Sequence, residues 1–308
     1  MTGVLLVNMG SPSSQKEMKQ FLFNMFSDVA ILPFPAIPRN LLAFIISNIR
    51  YRSSWKKYEL IGGSPLIESM SSISASLAKE LGTDYQVSSA YSYSLPTIQT
   101  GIEELSGKDI KVIKVIPMFP QSSFSTTESV KRDFTKVEKK YPDIQISIMK
   151  PFSENKNFIA YWASLIQETI AKNKYKNPTL LFSAHAIPTY QVEKGDTYVD
   201  EINASANSIA TKLGLPYKVS FQSKIGKVKW VEPNTKDCLK GMKDEGCDEI
   251  ILIPISFVNE NLETLFDQDV EIIPFGKTEL NIKNICRVNI PGTHPLLIET
   301  FKNLLIES

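Results

Sequence analysis

Residues Thr179–Tyr190 read TLLFSAHAIPTY. An unbroken apolar run passes into small residues, a histidine and then Pro188. A run this short, closed by a proline that removes a backbone donor and restricts the residue before it, reads as a strand buried on both faces. His185, one of two histidines in the chain, then falls at the carboxyl end of that strand.

The same pattern recurs on both sides. Apolar runs GVLLVN (3–8), QVSSAYSYS (86–94), IKVIKVIPMF (110–119) and QISIMKPF (145–152) precede it, and KVSFQSK (218–224) and EIILIPISFV (249–258) follow it. Longer amphipathic segments such as SSISASLAKELG (71–82) and NASANSIATKLG (203–214) lie between them. Buried runs alternating with helical periodicity predict βαβ units and parallel sheets, so the class is α/β. The pattern is laid down twice, around KPFSENKNF (150–158). Two doubly wound, Rossmann-like domains are therefore expected, over 1–150 and 151–295. In such sheets ligands bind beyond the carboxyl ends of the strands, which is where His185 falls.

Composition narrows the function. A chain of 308 residues that is 43% hydrophobic supports a large buried core. A formal net charge of +1 creates no broad field for nucleic acid, which leaves a small-molecule site as the expectation. Cys238, Cys247 and Cys286 are widely spaced and form no CxxC pair, which argues against a disulfide framework or a thiolate metal site. With no leader pattern and no apolar run near the ~20 residues that span a bilayer, a cytoplasmic location is expected. Residues 29–58 carry Arg39, Arg50, Arg52, Lys56 and Lys57, no acidic residue and many large apolar side chains. That combination fits a buried helix with solvated basic ends, a lip for an apolar anionic ligand, or a surface that touches a membrane.

Chemistry-bearing residues cluster at run ends. In PISFVNENLETLFDQDVE (254–271), a helix is expected from about Asn259, with Glu260 near its start. Glu263, Asp267 and Glu271 are spaced i, i+4, i+8 on one face, and a wider π turn would align them further. Such a row is either a solvated acidic face or a ladder that carries protons or a divalent cation. PMFPQSSFSTTES (117–129) places Ser125 and neighbouring hydroxyls where they could cap a helix or hold an anion. NMGSP (8–12) and IGGSPL (61–66) lack the lysine of a phosphate-binding loop. Trp230 could be core or an aromatic wall for a flat ligand.

Six segments in order, LLVNMGSP (5–12), YELIGGSPL (58–66), FPQSSFSTTES (119–129), LFSAHAIP (181–188) with KGDTY (194–198) behind it, FQSKIGKVKWVEPNT (221–235) and FVNENLETL (257–265), resemble the ferrochelatases, which insert ferrous iron into a porphyrin. The resemblance implies four-stranded parallel sheets, a cleft between the domains, and a C-terminal helix over 296–308 that joins the first domain. It implies that His185 is the catalytic base or a metal ligand, and that Glu263 is the catalytic carboxylate and a second ligand. Glu260, Asp267 and Glu271 would form a proton or metal path, and Met9, Tyr93, Ser125, Trp230 and Phe257 would contact the porphyrin. Fe²⁺ is then a substrate, with Zn²⁺ or Co²⁺ accepted in vitro, and neither a resident cofactor nor an iron–sulfur cluster is expected. The expected partner is protoporphyrin IX or a related porphyrin, bound by a monomer that touches the membrane peripherally at most.

Met9, where coproporphyrin-using relatives tend to carry tyrosine, favours protoporphyrin. Several positions depart from the pattern: HAIP (185–188) replaces the commoner HGLP, Glu260 stands where many members have aspartate, Asn261 where many have histidine, and Ser92 where some have arginine. A chelatase of another tetrapyrrole and a non-catalytic carrier are the rival expectations.

Overall fold

The computed structural model describes residues 1–224, 226 and 228–306. The chain divides into two compact units, Met1–Pro151 together with the residues from Phe301 on, and Phe152–Thr300. Each holds one four-stranded, all-parallel sheet, as the alternating runs predict.

In the first unit, β1 (Thr2–Asn8), β2 (Tyr85–Tyr91), β3 (Val112–Pro117) and β4 (Gln145–Ile148) are ordered β2-β1-β3-β4. β1 is buried from Gly3 to Asn8, the signature of a strand covered on both faces. Covering elements are α1 (Gln15–Phe26), α2 (Ala36–Leu60), α3 (Leu66–Leu81), α4 (Ile98–Ser106) and α5 (Thr127–Glu138). Leu5, Val7, Ile102, Leu105, Val115 and Phe134 close one core. Local signals set the helix starts: Ser14 caps α1 and Thr97 caps α4 through their side-chain oxygens. After β1 the chain turns tightly at Gly10, with φ of 89°. A Cβ there would lie 2.1 Å from Ser94 Oγ, so only glycine lets the ends of β1 and β2 approach.

The stretch over 29–58 is not a buried helix. α2 buries Ala43, Ser47 and Tyr58, whereas Ile37, Leu41, Phe44, Ile45 and Ile49 are exposed.

In the second unit, β5 (Thr179–His185), β6 (Tyr217–Gln222), β7 (Glu249–Ile253) and β8 (Asn284–Arg287) are ordered β6-β5-β7-β8. Its helices are α6 (Lys156–Asn173), α7 (Thr189–Glu193), α8 (Tyr198–Leu213), α9 (Thr235–Asp244), a π-helix (Glu263–Ile272), α10 (Ile273–Thr278) and α11 (Pro295–Ile306). The unit boundary runs inside α11. Leu181, Leu239, Met242, Ile250, Leu252 and Ile285 form a core that also takes Ile272, the last residue of the π-helix.

Both sheets reverse their winding beside the first strand of the unit, between β1 and β3 and between β5 and β7. That switch point is where such sheets open a crevice. In the second unit β5 pairs with β7 only over Thr179–Phe182, then continues along β6 as far as His185 opposite Gln222. β7 ends at Ile253, just before Pro254, so the last residues of β5 lose their neighbour on that side.

Candidate active site

His185 closes β5 at this switch point and is partly exposed. Its Nδ1 lies 2.7 Å from the Ala186 carbonyl oxygen. A carbonyl can only accept, so Nδ1 carries the proton and the lone pair of the neutral ring sits on Nε2. The backbone beneath is tied down: His185 N–H donates to Ser256 Oγ at 3.3 Å. Tyr198 is buried, and that burial raises its pKa well above the ordinary tyrosine value. The imidazole thus stands on a strand end whose backbone is held in place, with Nε2 left as the ring's acceptor.

Trp230 comes to the same rim. Pro188 and Trp230 form an antiparallel bridge, and Val231 N–H donates to the Ile187 carbonyl at 3.0 Å. The indole is partly buried, and its Nε1 has no hydrogen-bond partner among the described residues. Phe257, also partly buried, lies in the turn after β7, where its N–H donates to the Pro254 carbonyl at 3.1 Å.

The acidic segment departs from the simple helix expected. The helix begins at Glu263, later than Asn259, and it is π rather than α for ten residues. Asn261 explains the delay. Its Oδ1 accepts from Thr264 N–H at 3.0 Å while its own N–H donates to Thr264 Oγ1 at 3.0 Å, a reciprocal cap that holds the preceding residues out of the helix. Asn261 therefore serves as a cap. Glu263 and Asp267 are partly buried and Glu271 is exposed, so the row of carboxylates runs from the sheet end to solvent. Asp267 Oδ2 accepts from Ser223 Oγ at 2.5 Å.

Glu260 sits apart from this row. Its Oε1 accepts from Arg287 Nη1 and Ile290 N–H, both at 2.9 Å, and its Oε2 accepts from Thr264 Oγ1 at 2.6 Å. Arg287 also grips Asp269 bidentately at 2.9 and 2.7 Å, and its side chain is 4% exposed. Burial disfavours this guanidinium, but Asp269 and Glu260 outweigh it and hold its pKa above the usual value. Both oxygens of Glu260 thus bind groups that brace the entrance to the π-helix. A carboxylate fixed by a buried cation and two further hydrogen bonds is poorly suited to passing protons.

Met9, Tyr93 and Ser125 belong to the first unit. All three follow the carboxyl ends of its strands: Met9 after β1, Tyr93 after β2 and Ser125 after β3. Tyr93 is buried and its hydroxyl donates to Asp28 Oδ2 at 2.8 Å. Burial and then the Asp28 charge push its pKa far above normal. Asp28 also accepts from Ala30 N–H, Ser129 Oγ and Arg132 Nη2. This anchor under the start of residues 29–58 is invisible in the motif, because its members lie far apart in sequence. Ser125 N–H donates to Ser123 Oγ at 3.2 Å, so the serine-rich turn is partly self-capped.

Among the described residues no three His, Cys, Asp or Glu side chains are grouped as a metal cage. The second unit offers instead one imidazole with a free Nε2, set at a crevice-forming switch point, and a carboxylate row graded towards solvent. A doubly wound α/β protein with titratable side chains gathered at the strand ends of its second unit is the class these features define.

Comparison with known proteins carries this further. The ferrochelatase family model matches residues 1–308. A ferrochelatase of Picosynechococcus sp. is 34% identical, with 99% of this chain and 82% of the relative aligned. A ferrochelatase of Aquifex aeolicus is 32% identical over 98% of each chain. This chain belongs to the ferrochelatase family, enzymes of metal insertion into porphyrin. Among solved structures, SirB from Bacillus subtilis with Fe³⁺ superposes with a TM-score of 0.60 at 15% identity, covering 99% of this chain and 94% of that one, a likeness of fold.

Proposed function

We propose that this protein inserts Fe²⁺ into protoporphyrin IX to form protohaem, with His185 as the base and Glu263 as the carboxylate beside it. The observation that supports the reading most is the tautomer of His185, whose Nδ1 is committed to the Ala186 carbonyl, leaving Nε2 to accept a pyrrole proton or meet the metal. Metallation removes two N–H protons from the macrocycle while the metal sheds water. A neutral imidazole on a fixed strand accepts the first without an initial charge to desolvate. Glu263, Asp267 and Glu271 then offer successive carriers towards solvent. The ring acts as base, and Glu260, held by Arg287, takes no part in the path. Iron is a substrate here, and a site of imidazole and carboxylate also accepts Zn²⁺ or Co²⁺. The enzyme is taken to act as a monomer with no resident cofactor.

Anaerobic assays with Fe²⁺ or Zn²⁺ and either protoporphyrin or coproporphyrin, followed by the visible absorption change on metallation, test this directly. Turnover with protoporphyrin at the higher kcat/KM is expected. Preference for coproporphyrin would move the substrate assignment, and binding without metallation of either would reject the enzyme reading.

Peripheral membrane contact is part of the proposal. No helix among the described residues is long and apolar enough to cross a membrane. On α2, however, Ile37, Leu41, Phe44, Ile45 and Ile49 repeat at helical spacing, with Ile37 86% and Ile49 73% exposed. Arg39, Arg50, Arg52, Lys56 and Lys57 flank them, which suits an anionic lipid surface. Sedimentation with vesicles containing phosphatidylglycerol is expected to carry the protein down, and vesicles of phosphatidylcholine alone to carry far less. The double change Ile37→Asp and Leu41→Asp should weaken the first binding about tenfold or more, since two buried apolar side chains contribute ~3 kcal/mol between them. Equal binding by the variant would rule this surface out.

A further inference from the structure

Beneath His185 and Glu263 lies a chain of buried polar side chains that the proposed chemistry does not use. Gln222, the last residue of β6, is 2% exposed and stands at its centre. Its Oε1 accepts from Ser183 Oγ at 2.7 Å and from Gln268 Nε2 at 2.8 Å, while its Nε2 donates to the backbone carbonyl of Glu263 at 3.2 Å. The amide orientation is set by that last bond, because a carbonyl cannot donate. Behind Ser183, its hydroxyl meets Thr235 Oγ1 at 3.0 Å, and Ser220 Oγ donates to Thr235 Oγ1 at 3.1 Å. With Gln222 Oε1 accepting, Ser183 donates to the amide and so accepts from Thr235, while Ser220 Oγ lies within reach of both Thr235 Oγ1 and the Phe182 carbonyl at 3.3 Å.

We infer that Gln222 is a positioning residue for the reaction, a buried amide that fixes the first π turn, and so Glu263, relative to the strand that presents His185. Three features carry the inference. First, one amide group reaches both Glu263 and Gln268, residues i and i+5. An α-helix would turn those two positions about 140° apart, whereas i and i+5 are bonded neighbours in a π turn. The two contacts therefore select π over α winding, and with it the alignment of Asp267 and Glu271.

Second, the strand side of the brace is local to the base. Ser183 is two residues before His185 on the same face of β5, and Ala186 N–H donates to the Gln222 backbone carbonyl at 2.8 Å. Third, Gln268 is fully buried and its Oε1 has no partner among the described residues. An orphaned buried acceptor destabilises a fold, so stability alone would favour an apolar side chain here. What the glutamine supplies in return is its Nε2 bond to Gln222.

The inference rests on the proposed chelatase reading, and its test separates the two. Gln222→Met keeps the length of the side chain and removes all three amide bonds. Its kcat for Zn²⁺ insertion is expected to fall about 10- to 100-fold, the scale of an ångström-sized misplacement, while the porphyrin KM stays within about twofold. Hydrogen exchange in the 263–272 peptide should quicken in the same variant. Gln268→Met removes the orphaned acceptor, so its melting temperature should match or exceed that of the unaltered protein while its kcat falls in the same direction. Ser205→Ala, which deletes a buried hydroxyl bonded to Ser153 and Glu201 carbonyls in the same unit, should keep its kcat.

A folded Gln222→Met with kcat within about twofold of the unaltered protein, or a Gln268→Met with full activity, would overturn the assignment; so would unchanged exchange in the 263–272 peptide. Failure of the unaltered protein to metallate any porphyrin would instead strike the chelatase reading and leave the exchange result to judge the brace alone.

Discussion

His185→Ala is expected to lose about 10²- to 10⁴-fold in kcat for metal insertion while retaining porphyrin affinity within about threefold, because a positioned general base contributes on that scale and a flat ring is held mainly by its apolar area. The expectation follows from atoms rather than from the motif. The Nδ1 of this imidazole is committed to the Ala186 carbonyl, so alanine removes the ring nitrogen, Nε2, that is free to take a proton. Ser256 still accepts from the backbone N–H at position 185, and Tyr198 still buries its ring behind it, so the strand end should keep its course. Steady-state kinetics with Zn²⁺ and fluorescence titration of protoporphyrin measure the two quantities separately. Turnover at the level of the unaltered protein would remove His185 from the mechanism, and loss of binding equal to the loss of rate would make it a porphyrin contact instead.

Arg287→Ala is expected to have the largest effect on stability, about 3 kcal/mol, the low end of the cost of breaking a buried ion pair from one side, because Glu260 and Asp269 keep 21% and 39% of their side chains exposed. Removing the guanidinium strands Glu260 and Asp269, which it holds at 2.9 and 2.7 Å. The two carboxylates would then face each other with no cation between them, at the mouth of the π-helix. For a unit of this size each kcal/mol moves the melting temperature by about 2–4 °C, so calorimetry should show a drop of roughly 10 °C. Arg287→Met combined with Glu260→Gln and Asp269→Asn removes the charges together and should recover most of the loss. If the single change proves neutral, the cluster does not brace the π-helix. Because Glu260 is bonded on both oxygens, the triple variant should also keep more activity than Glu263→Gln, which removes the carboxylate proposed to act with His185.

The parts of this site that are legible in the amino-acid sequence are those encoded over a few residues. The strand ending at His185 is legible because Leu180–Phe182 form a short apolar run followed by small residues and Pro188 lies just beyond it. The alignment of Glu263, Asp267 and Glu271 is legible because helical spacing alone puts them on one side. The capping role of Asn261 has a local signal in Thr264, three residues on, although the family resemblance points to the missing histidine instead.

Other features are hidden for a common reason. Glu260 belongs by spacing to the acidic segment, yet Arg287, 27 residues later, claims it. Tyr93 belongs by motif to the porphyrin wall, but Asp28, 65 residues earlier, engages its hydroxyl. Gln222 looks like one polar residue in FQSK, and its meaning comes from Glu263, 41 residues ahead.

The amino-acid sequence by itself determined two parallel α/β sheets, the strand end that carries His185, and the direction of the carboxylate row, since periodicity and chain breakers act over a turn or a strand. Tertiary structure alone decided which polar groups remain available for chemistry, and that the acidic helix winds as π. Buried hydrogen bonds and ion pairs must be satisfied wherever the fold brings partners together, and the partners that claim Glu260, Tyr93 and Gln222 arrive from distant parts of the chain.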